Sequence, residues 1–383
     1  MLLHRSIAQV ASRNSYLFRL PLNLLIRQTK LMPLEQQTAK QFMFGYETTL
    51  TTLGNTFLPN WISFNKVGLI DRMYDFDDDF ETFYTGADDE SISGLYESYL
   101  GLPRLRQWDN DHCSNIQNAS DGTKFKSFIK PNEQLLFFRK SMCRAQRMVQ
   151  DNSSYEIYGI QATKFVFEKN ALDNGEFDKR NKCFCRQGHC LPRGLIDVTD
   201  CYYGFPIALS YPHFLDADPN LLQKIIGLHP NESKHGSFFM INSLSGLPLK
   251  LSVKFQINMA LNDLSGVAEC ERFSDVVIPA LWFEIKMMQL PKSLRNRFIF
   301  YLHYLRILDR VMYYVFFISG GLLLLFSVLR VSFSLSVNFS SYRVSNLSRR
   351  FEKSIPKKAT QRRRQSNSKH DQGSEKERQH FLL

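Results

Sequence analysis

Leu249-Lys-Leu-Ser-Val-Lys-Phe-Gln-Ile257 alternates apolar and polar side chains without a break. Successive side chains of a strand point to opposite faces, so Leu249, Leu251, Val253, Phe255 and Ile257 share one apolar face. Working outward, short apolar or β-branched runs recur at 46–53, 80–84, 159–167, 207–209 and 276–282, in a chain broken by Gly, Pro, Asn and Asp. This pattern predicts a mainly β, mostly antiparallel domain with frequent turns. Residues 38–44 read as a helix that ends at Gly45, and no internal repeat is present. Phe is abundant, 32 of 383 residues, which suits a core or cavity walled by aromatic rings.

Toward the C-terminus the chain changes character. Residues 311–329 carry no charge and are bounded by Arg310 and Arg330. Nineteen helical residues span about 28 Å, close to the hydrocarbon thickness of a bilayer. A buried core helix is the weaker reading, because little after residue 330 is apolar enough to bury it. The net charge is +11, and residues 330–383 hold 13 Lys/Arg against 4 Asp/Glu, which leaves about +2 for the rest. The basic character therefore describes a tail, and no nucleic-acid partner is expected. Arg330, Arg343, Arg349, Arg350, Lys353, Lys357 and Lys358 place that tail in the cytosol and residues 1–310 outside it. Residues 331–339 are expected to carry the helix into the interface. From Ser340 the polar, basic sequence predicts disorder, with Arg362-Arg-Arg364 suited to anionic lipid. Residues 1–32 contain basic side chains and no acid, with apolar positions that predict one or two short helices.

Four of the seven cysteines fall within Cys183-Phe-Cys185-Arg-Gln-Gly-His-Cys190 and the following stretch to Cys201. Such density means a metal knot or a disulfide knot. Cys-x-Cys and Cys-x4-Cys are not the usual zinc-finger spacings, and no spaced histidine pair follows. An external location favours oxidation of Cys113, Cys143, Cys183, Cys185, Cys190 and Cys201, whose fifteen pairings spacing leaves open. Cys270 is left over as a buried thiol. Asn118-Ala-Ser, Asn152-Ser-Ser and Asn231-Glu-Ser are acceptor sites for N-linked glycans on the outer side. Asn338-Phe-Ser and Asn346-Leu-Ser lie on the cytosolic side and should stay bare.

No catalytic signature is present: there is no Gly-x-Ser-x-Gly, P-loop, Gly-x-Gly-x-x-Gly or His-Glu-x-x-His. The acidic run Asp75-Phe-Asp-Asp-Asp-Phe-Glu81 lacks the glycine and glutamate of a calcium loop and reads as a solvated turn. His213, in Ser210-Tyr-Pro-His213-Phe214, has no nucleophile beside it in sequence and reads as structural. No enzyme activity, cofactor or metal is expected.

The cysteine cluster, Gly194-Leu-Ile-Asp-Val198, Tyr203-Gly-Phe-Pro-Ile-Ala-Leu-Ser-Tyr-Pro-His-Phe214, Gly227-Leu-His-Pro-Asn231, Gly246-Leu-Pro-Leu249 and Ile278-Pro-Ala-Leu-Trp282 resemble segments of the class B scavenger receptor family. So does Phe137-Phe-Arg-Lys-Ser-Met-Cys143 upstream. The resemblance covers roughly residues 15–330. It implies bridges Cys113–Cys183, Cys143–Cys201 and Cys185–Cys190. It further implies an antiparallel β-barrel-like ectodomain (46–305) with a lipid cavity and a helical apex (1–45). A membrane helix (311–329) and a disordered basic tail (330–383) complete the expected organisation. Members carry a span near the N-terminus that this sequence does not show, so the resemblance implies a chain that begins within the ectodomain.

The implied function is a receptor at the plasma membrane, or in endosomes or lysosomes. Its partners would be lipids, lipoproteins or apoptotic cells, with passage of apolar ligand through the cavity and self-association into a homo-oligomer as further expectations. Arg27 and Lys30 are the candidate contacts for an anionic lipid head. Alternative readings are a trafficking receptor for a luminal protein, consistent with the terminal Leu382-Leu383, and a chemosensory co-receptor for hydrophobic odorants.

Overall fold

The computed structural model describes residues 20, 23–24, 26–28, 36–47, 66–68, 80–202, 206–261 and 263–353. In chain order the main elements begin with α1 (Ala39–Phe44), β1 (Tyr46–Glu47), β2 (Lys66–Val67), β3 (Glu81–Phe83), β4 (Tyr96–Tyr99) and α2 (Asp111–Ser114). Then come β5 (Leu135–Phe137), β6 (Gln146–Ile157), β7 (Ile160–Phe167), β8 (Ile196–Asp197), β9 (Ile207–Ser210), α3 (Asn220–Gln223) and α4 (Glu232–His235). The series closes with β10 (Phe238–Ile241), β11 (Pro248–Leu261), β12 (Val276–Met287), α5 (Lys292–Ile299) and α6 (Leu305–Lys353). Among the described residues eight strands form one antiparallel sheet in the order β5-β6-β7-β10-β11-β9-β8, with β12 on the other side of β11.

The sheet is built around β11. Its first half pairs with β10 and its second half with β9, while β12 runs along the opposite edge from Leu251 to Leu261. Alternation alone would leave the second face of such a strand to water. Here both faces are covered. Val253, Phe255 and Ile257 enter the main core with Phe137, Phe165 and Phe239. Ser252, Lys254, Gln256 and Asn258 are buried too, and Lys254 and Gln256 bond to the connection 211–237. Each finds a partner, as buried polar groups must. The Gln256 Oε1 accepts the His213 N–H at 2.9 Å, and Lys254 Nζ donates to the Gly236 carbonyl at 3.0 Å. Asn258 Nδ2 donates to the Ala208 carbonyl at 3.1 Å, and Ser252 Oγ donates to Glu284 at 2.7 Å.

Two local rules shape the neighbours. β6 and β7 form a two-residue hairpin in which Tyr158 and Gly159 both have positive φ, 57° and 76°. That combination matches the strand twist and admits glycine readily. In β12, Pro279 lacks an N–H and sits at a bulge, where Ala280 is the extra residue opposite the Ile257/Asn258 step. An outer strand with a bulge is where proline is tolerated. α1 has a complete capping box between Thr38 and Gln41 and ends at Gly45 with φ 96°.

The cysteines form the three bridges that the family resemblance implies. Cα separations are 6.0 Å for Cys113–Cys183, 6.2 Å for Cys143–Cys201 and 4.3 Å for Cys185–Cys190. Cys270 is buried and stands outside the bridges. Phe184, between two bridged cysteines, fills the knot: Trp108 packs edge-on at 5.4 Å and the Arg144 guanidinium lies over its face at 3.7 Å. Burial on its own pushes the Asp173 carboxyl up. The backbone N–H groups of Asp178, Phe177 and Gly175 and the Asn181 amide outweigh it and hold Asp173 below the usual carboxylate range. This contribution to stability is present above the unfolded value near ~3.9 and is lost as pH falls through the lower folded pKa.

Residues 306–383 form a second unit, and α6 is its described part. The helix is 49 residues long, about 74 Å at helical rise. It is long and apolar enough to cross a membrane, with its apolar side chains exposed. It carries on through 331–339 as expected, and then past Ser340, where the sequence predicts disorder, to Lys353. Serine hydroxyls there turn inward: Ser336 donates to the Phe333 carbonyl at 2.8 Å and Ser348 to the Ser345 carbonyl at 2.9 Å. Such back-bonding satisfies the hydroxyl within the helix and lets a serine-rich segment remain helical. Arg362-Arg-Arg364 and Leu382-Leu383 lie outside the described residues.

Replacing Cys143 and Cys201 together by Ala removes a crosslink of sequence separation 58. The expected loss is about 4 kcal/mol, read as a lower denaturation midpoint of the detergent-solubilised chain. Unchanged stability would contradict a structural role for this bridge.

Candidate functional site

On the apolar face of the sheet lies a cavity of about 340 Å³, within the usual range for small-molecule sites. Its wall is made by β11 and β12. Leu251, Val253, Phe255 and Ile257 come from one strand and Leu281, Phe283 and Ile285 from the other, all odd-numbered because the strands alternate. Leu209 of β9, Phe239 of β10 and Phe137 of β5 extend the wall, and Met43 of α1 contributes from the helical segment. Phe137, Phe167, Phe239 and Phe255 meet at centroid distances of 5.4–6.2 Å, so one contiguous aromatic cluster backs the cavity.

The rim is polar. It carries Asp121, Arg139 and Ser141. Arg139 is exposed, and its Nε donates to the Asp121 carbonyl at 2.9 Å. The rim turn 139–143 is held from behind. Tyr202 Oη donates to the Ser141 carbonyl at 2.7 Å, and Cys143, with φ 53°, is bonded to Cys201. Trp108 Nε1 donates to the Cys143 carbonyl at 2.7 Å. The disulfide knot thus sets the position of Arg139, Ser141 and Met142 against the sheet. Gly122 at the rim has φ 90°, and a Cβ there would stand 2.9 Å from the Phe137 ring.

This arrangement offers an apolar interior with a guanidinium at its mouth, suited to non-covalent capture of an apolar molecule. A second recess, of about 450 Å³, opens among Arg144, Asp173, Asp178, Asn181 and Phe184. Its charged groups are largely engaged within the knot: Arg144 with the carbonyls of Ala171 and Asp173, Asp178 with Arg180. Among the described residues no group of three or more His, Cys, Asp or Glu is placed to hold a metal.

The residues singled out from sequence fall apart in space. Arg27 is exposed on a helical turn beside the buried Ile26 and is not part of the cavity lining. Lys30 lies outside the described residues, as does most of the acidic run 75–81. The nearby Asn23 docks this helix through both ends of its amide, on the Gly266 carbonyl at 3.0 Å and the Ala268 N–H at 2.9 Å. Asn118 is exposed, with φ 62°. Asn231 is exposed, and its Oδ1 caps α4 by accepting the Lys234 N–H at 3.2 Å, which leaves the cap intact if Nδ2 carries a sugar. Asn152 lies at the bulge of β6. Arg139 escaped the sequence reading. It lies within the family-like segment Phe137–Cys143, but a basic residue after the apolar pair Phe137-Phe138 does not by itself mark a cavity rim.

Comparison with known proteins agrees with this architecture. The family model described as the CD36 family matches residues 1–331. "Scavenger receptor class B member 1" of Sus scrofa is 32% identical over 249 residues, 64% of this chain and 48% of that protein. "Lysosome membrane protein 2" of Homo sapiens is 30% identical over 252 residues, covering 64% and 50% of the two chains. "Protein peste" of Drosophila melanogaster is 28% identical over 252 residues, covering 65% and 45%. The chain spans about half the length of the curated relatives it matches.

Gly122→Ala forces a side chain into left-handed backbone and against Phe137. The expected cost is about 2 kcal/mol, read as a drop in denaturation midpoint. A neutral substitution would show that the rim is not packed this way.

Proposed function

The chain belongs to the CD36 family, and from that premise we propose that it is a membrane-anchored receptor that captures apolar ligands in the cavity behind Arg139. One observation carries the reading: an apolar, Phe-rich cavity of about 340 Å³ with a cationic side chain at its rim. Hydrophobic burial holds the ligand chain at about 25 cal/mol per Å² of apolar surface removed from water. Arg139 receives an anionic head through charge-assisted hydrogen bonds. Arg27 and Lys30 serve as the first contact. Lipids, lipoproteins and the lipid surface of apoptotic cells are the ligand classes. Capture is non-covalent.

In this reading α6 spans the membrane, residues 330–383 face the cytosol, and the disulfide-bonded part lies outside, at the cell surface or in an endosomal or lysosomal lumen. Oxidised cysteines suit that side. Asn118, Asn152 and Asn231 carry glycans there, and Asn338 and Asn346 do not. The similarity to a lysosome membrane protein favours a second reading, in which the outer part carries a luminal protein to that compartment.

Organic extraction and mass spectrometry of the purified, detergent-solubilised chain are expected to recover bound lipid. Val253→Trp with Leu281→Trp fills the cavity and should lower the recovered amount at least about fivefold while surface expression holds. Charge reversal at Arg139, or at Arg27 and Lys30 together, should lower uptake of an anionic lipid selectively. Equal lipid recovery from the filled variant would refute the cavity as the ligand site. Peptide mapping after glycosidase treatment is expected to find sugar at Asn118 and Asn231, and sugar at Asn338 or Asn346 would refute the orientation.

A further inference from the structure

The connection 211–237, which covers the polar face of β11, is fastened by two stacked imidazoles. The rings of His213 and His235 lie 4.3 Å apart, centroid to centroid, with planes 6° from parallel. His213 Nδ1 accepts the backbone N–H of His229 at 3.0 Å, and His235 Nδ1 accepts that of Asn231 at 3.1 Å. A ring nitrogen that accepts carries no proton, so both rings are neutral with hydrogen on Nε2. The pair is tied to the sheet on both sides: the His213 N–H donates to Gln256 of β11, and His235 meets the Trp282 ring of β12 edge-on at 6.1 Å. Parallel stacked rings cannot both hold one metal ion in their planes, and no third donor group gathers there among the described residues.

The segment under this clamp is strained. His213, Phe214 and Asp216 have φ of 56°, 57° and 57°, a left-handed conformation that costs a side-chain-bearing residue about 1–2 kcal/mol. It persists because surrounding contacts over-determine it.

We infer that the His213–His235 pair is a proton-sensitive clamp, which fastens segment 213–235 across the back of β11 when neutral and releases it when protonated. Two effects act in the same direction. A proton on Nδ1 would face a backbone N–H and abolish each of the two acceptor bonds, and two imidazolium rings in this stack would repel one another. The surrounding charges deepen the effect. Burial first, then His213, Lys254 of β11 and Lys234 of α4, hold His235 below the ordinary histidine value. The acids of the packed elements face other groups: Glu232 lies beside Gly236, Glu284 accepts from Ser252, and Asp218 accepts the Asn220 N–H. Among the described residues neither imidazole is ion-paired with a carboxylate. Because the folded pKa of His235 is the lower one, the unfolded chain binds the proton first. Its contribution is therefore full at neutral pH and is lost as pH falls from about 6.5 through the lower folded value. The cover thus freed lies behind the strand whose other face is the cavity wall.

Hydrogen exchange of the full chain in detergent, corrected for intrinsic pH dependence, tests it. Peptides covering 228–236 are expected to lose protection by about tenfold or more between pH 7.4 and pH 5.0, with the β6–β7 hairpin unaffected. His213→Asn with His235→Asn places a side-chain oxygen near each Nδ1 position without a titrating group, and should abolish the response. Equal wild-type protection at both pH values, or an undiminished response in the double variant, overturns the proposal. Should the double variant not fold, a wild-type pH series decides: loss confined to 211–237 with a midpoint below about 6.5 supports the clamp, and loss spread evenly through β6 and β7 overturns it.

Discussion

A strand buried on both faces must solve two problems at once, and β11 solves them with alternate side chains. Its odd-numbered residues meet the aromatic core and the cavity. Its even-numbered residues from Lys250 to Asn258 are polar, and burial without partners would cost each a desolvation penalty of about 1–3 kcal/mol. The connection 211–237 supplies partners to Gln256 and Lys254 through His213, Gly236 and Ser237, while β9 supplies Asn258 and β12 supplies Ser252. The same chain segment therefore shields the sheet and binds to it. Disturbing that cover exposes a polar ladder, and disturbing the opposite face opens the apolar wall.

The disulfide knot belongs to the same design. It lies outside the sheet, yet Cys143–Cys201 and the Tyr202 hydroxyl hold the turn that carries Arg139, Ser141 and Met142. Trp108, Phe184 and Arg144 pack the knot so that the turn rests on a small core of its own. Rigidity at the rim matters because a cationic group helps a ligand head only where its position is pre-set. A flexible arginine would lose much of that advantage in ordering entropy.

Much of this was legible in the residues. The alternation over 249–257, the helix closed by Gly45 and the uncharged run 311–329 each follow from a period or a cap that local chemistry imposes, and each has its counterpart in β11, α1 and α6. Strand ends were harder. β12 runs to Met287, five residues past the expected end, because pairing with β11 carries Phe283-Glu-Ile-Lys-Met287 along. β6 left no clear signal, since Asp151-Asn-Ser-Ser154 interrupts the alternation at a bulge that only its pairing with β7 explains. α6 outran Ser340 because backbone-bonded serines do not break a helix.

The sequence by itself determined the periods, the redox setting of the cysteines, the apolar span and the family, because each rests on residue type and short-range spacing. Tertiary structure alone decided which polar side chains of β11 are buried and that Arg139, not Arg27, stands at the cavity. It alone brought His213 against His235, twenty-two positions away in the chain. Those facts depend on which loop covers which strand. That choice is made by long-range packing, where burial of one face and satisfaction of the other must be met together, and no local pattern encodes it.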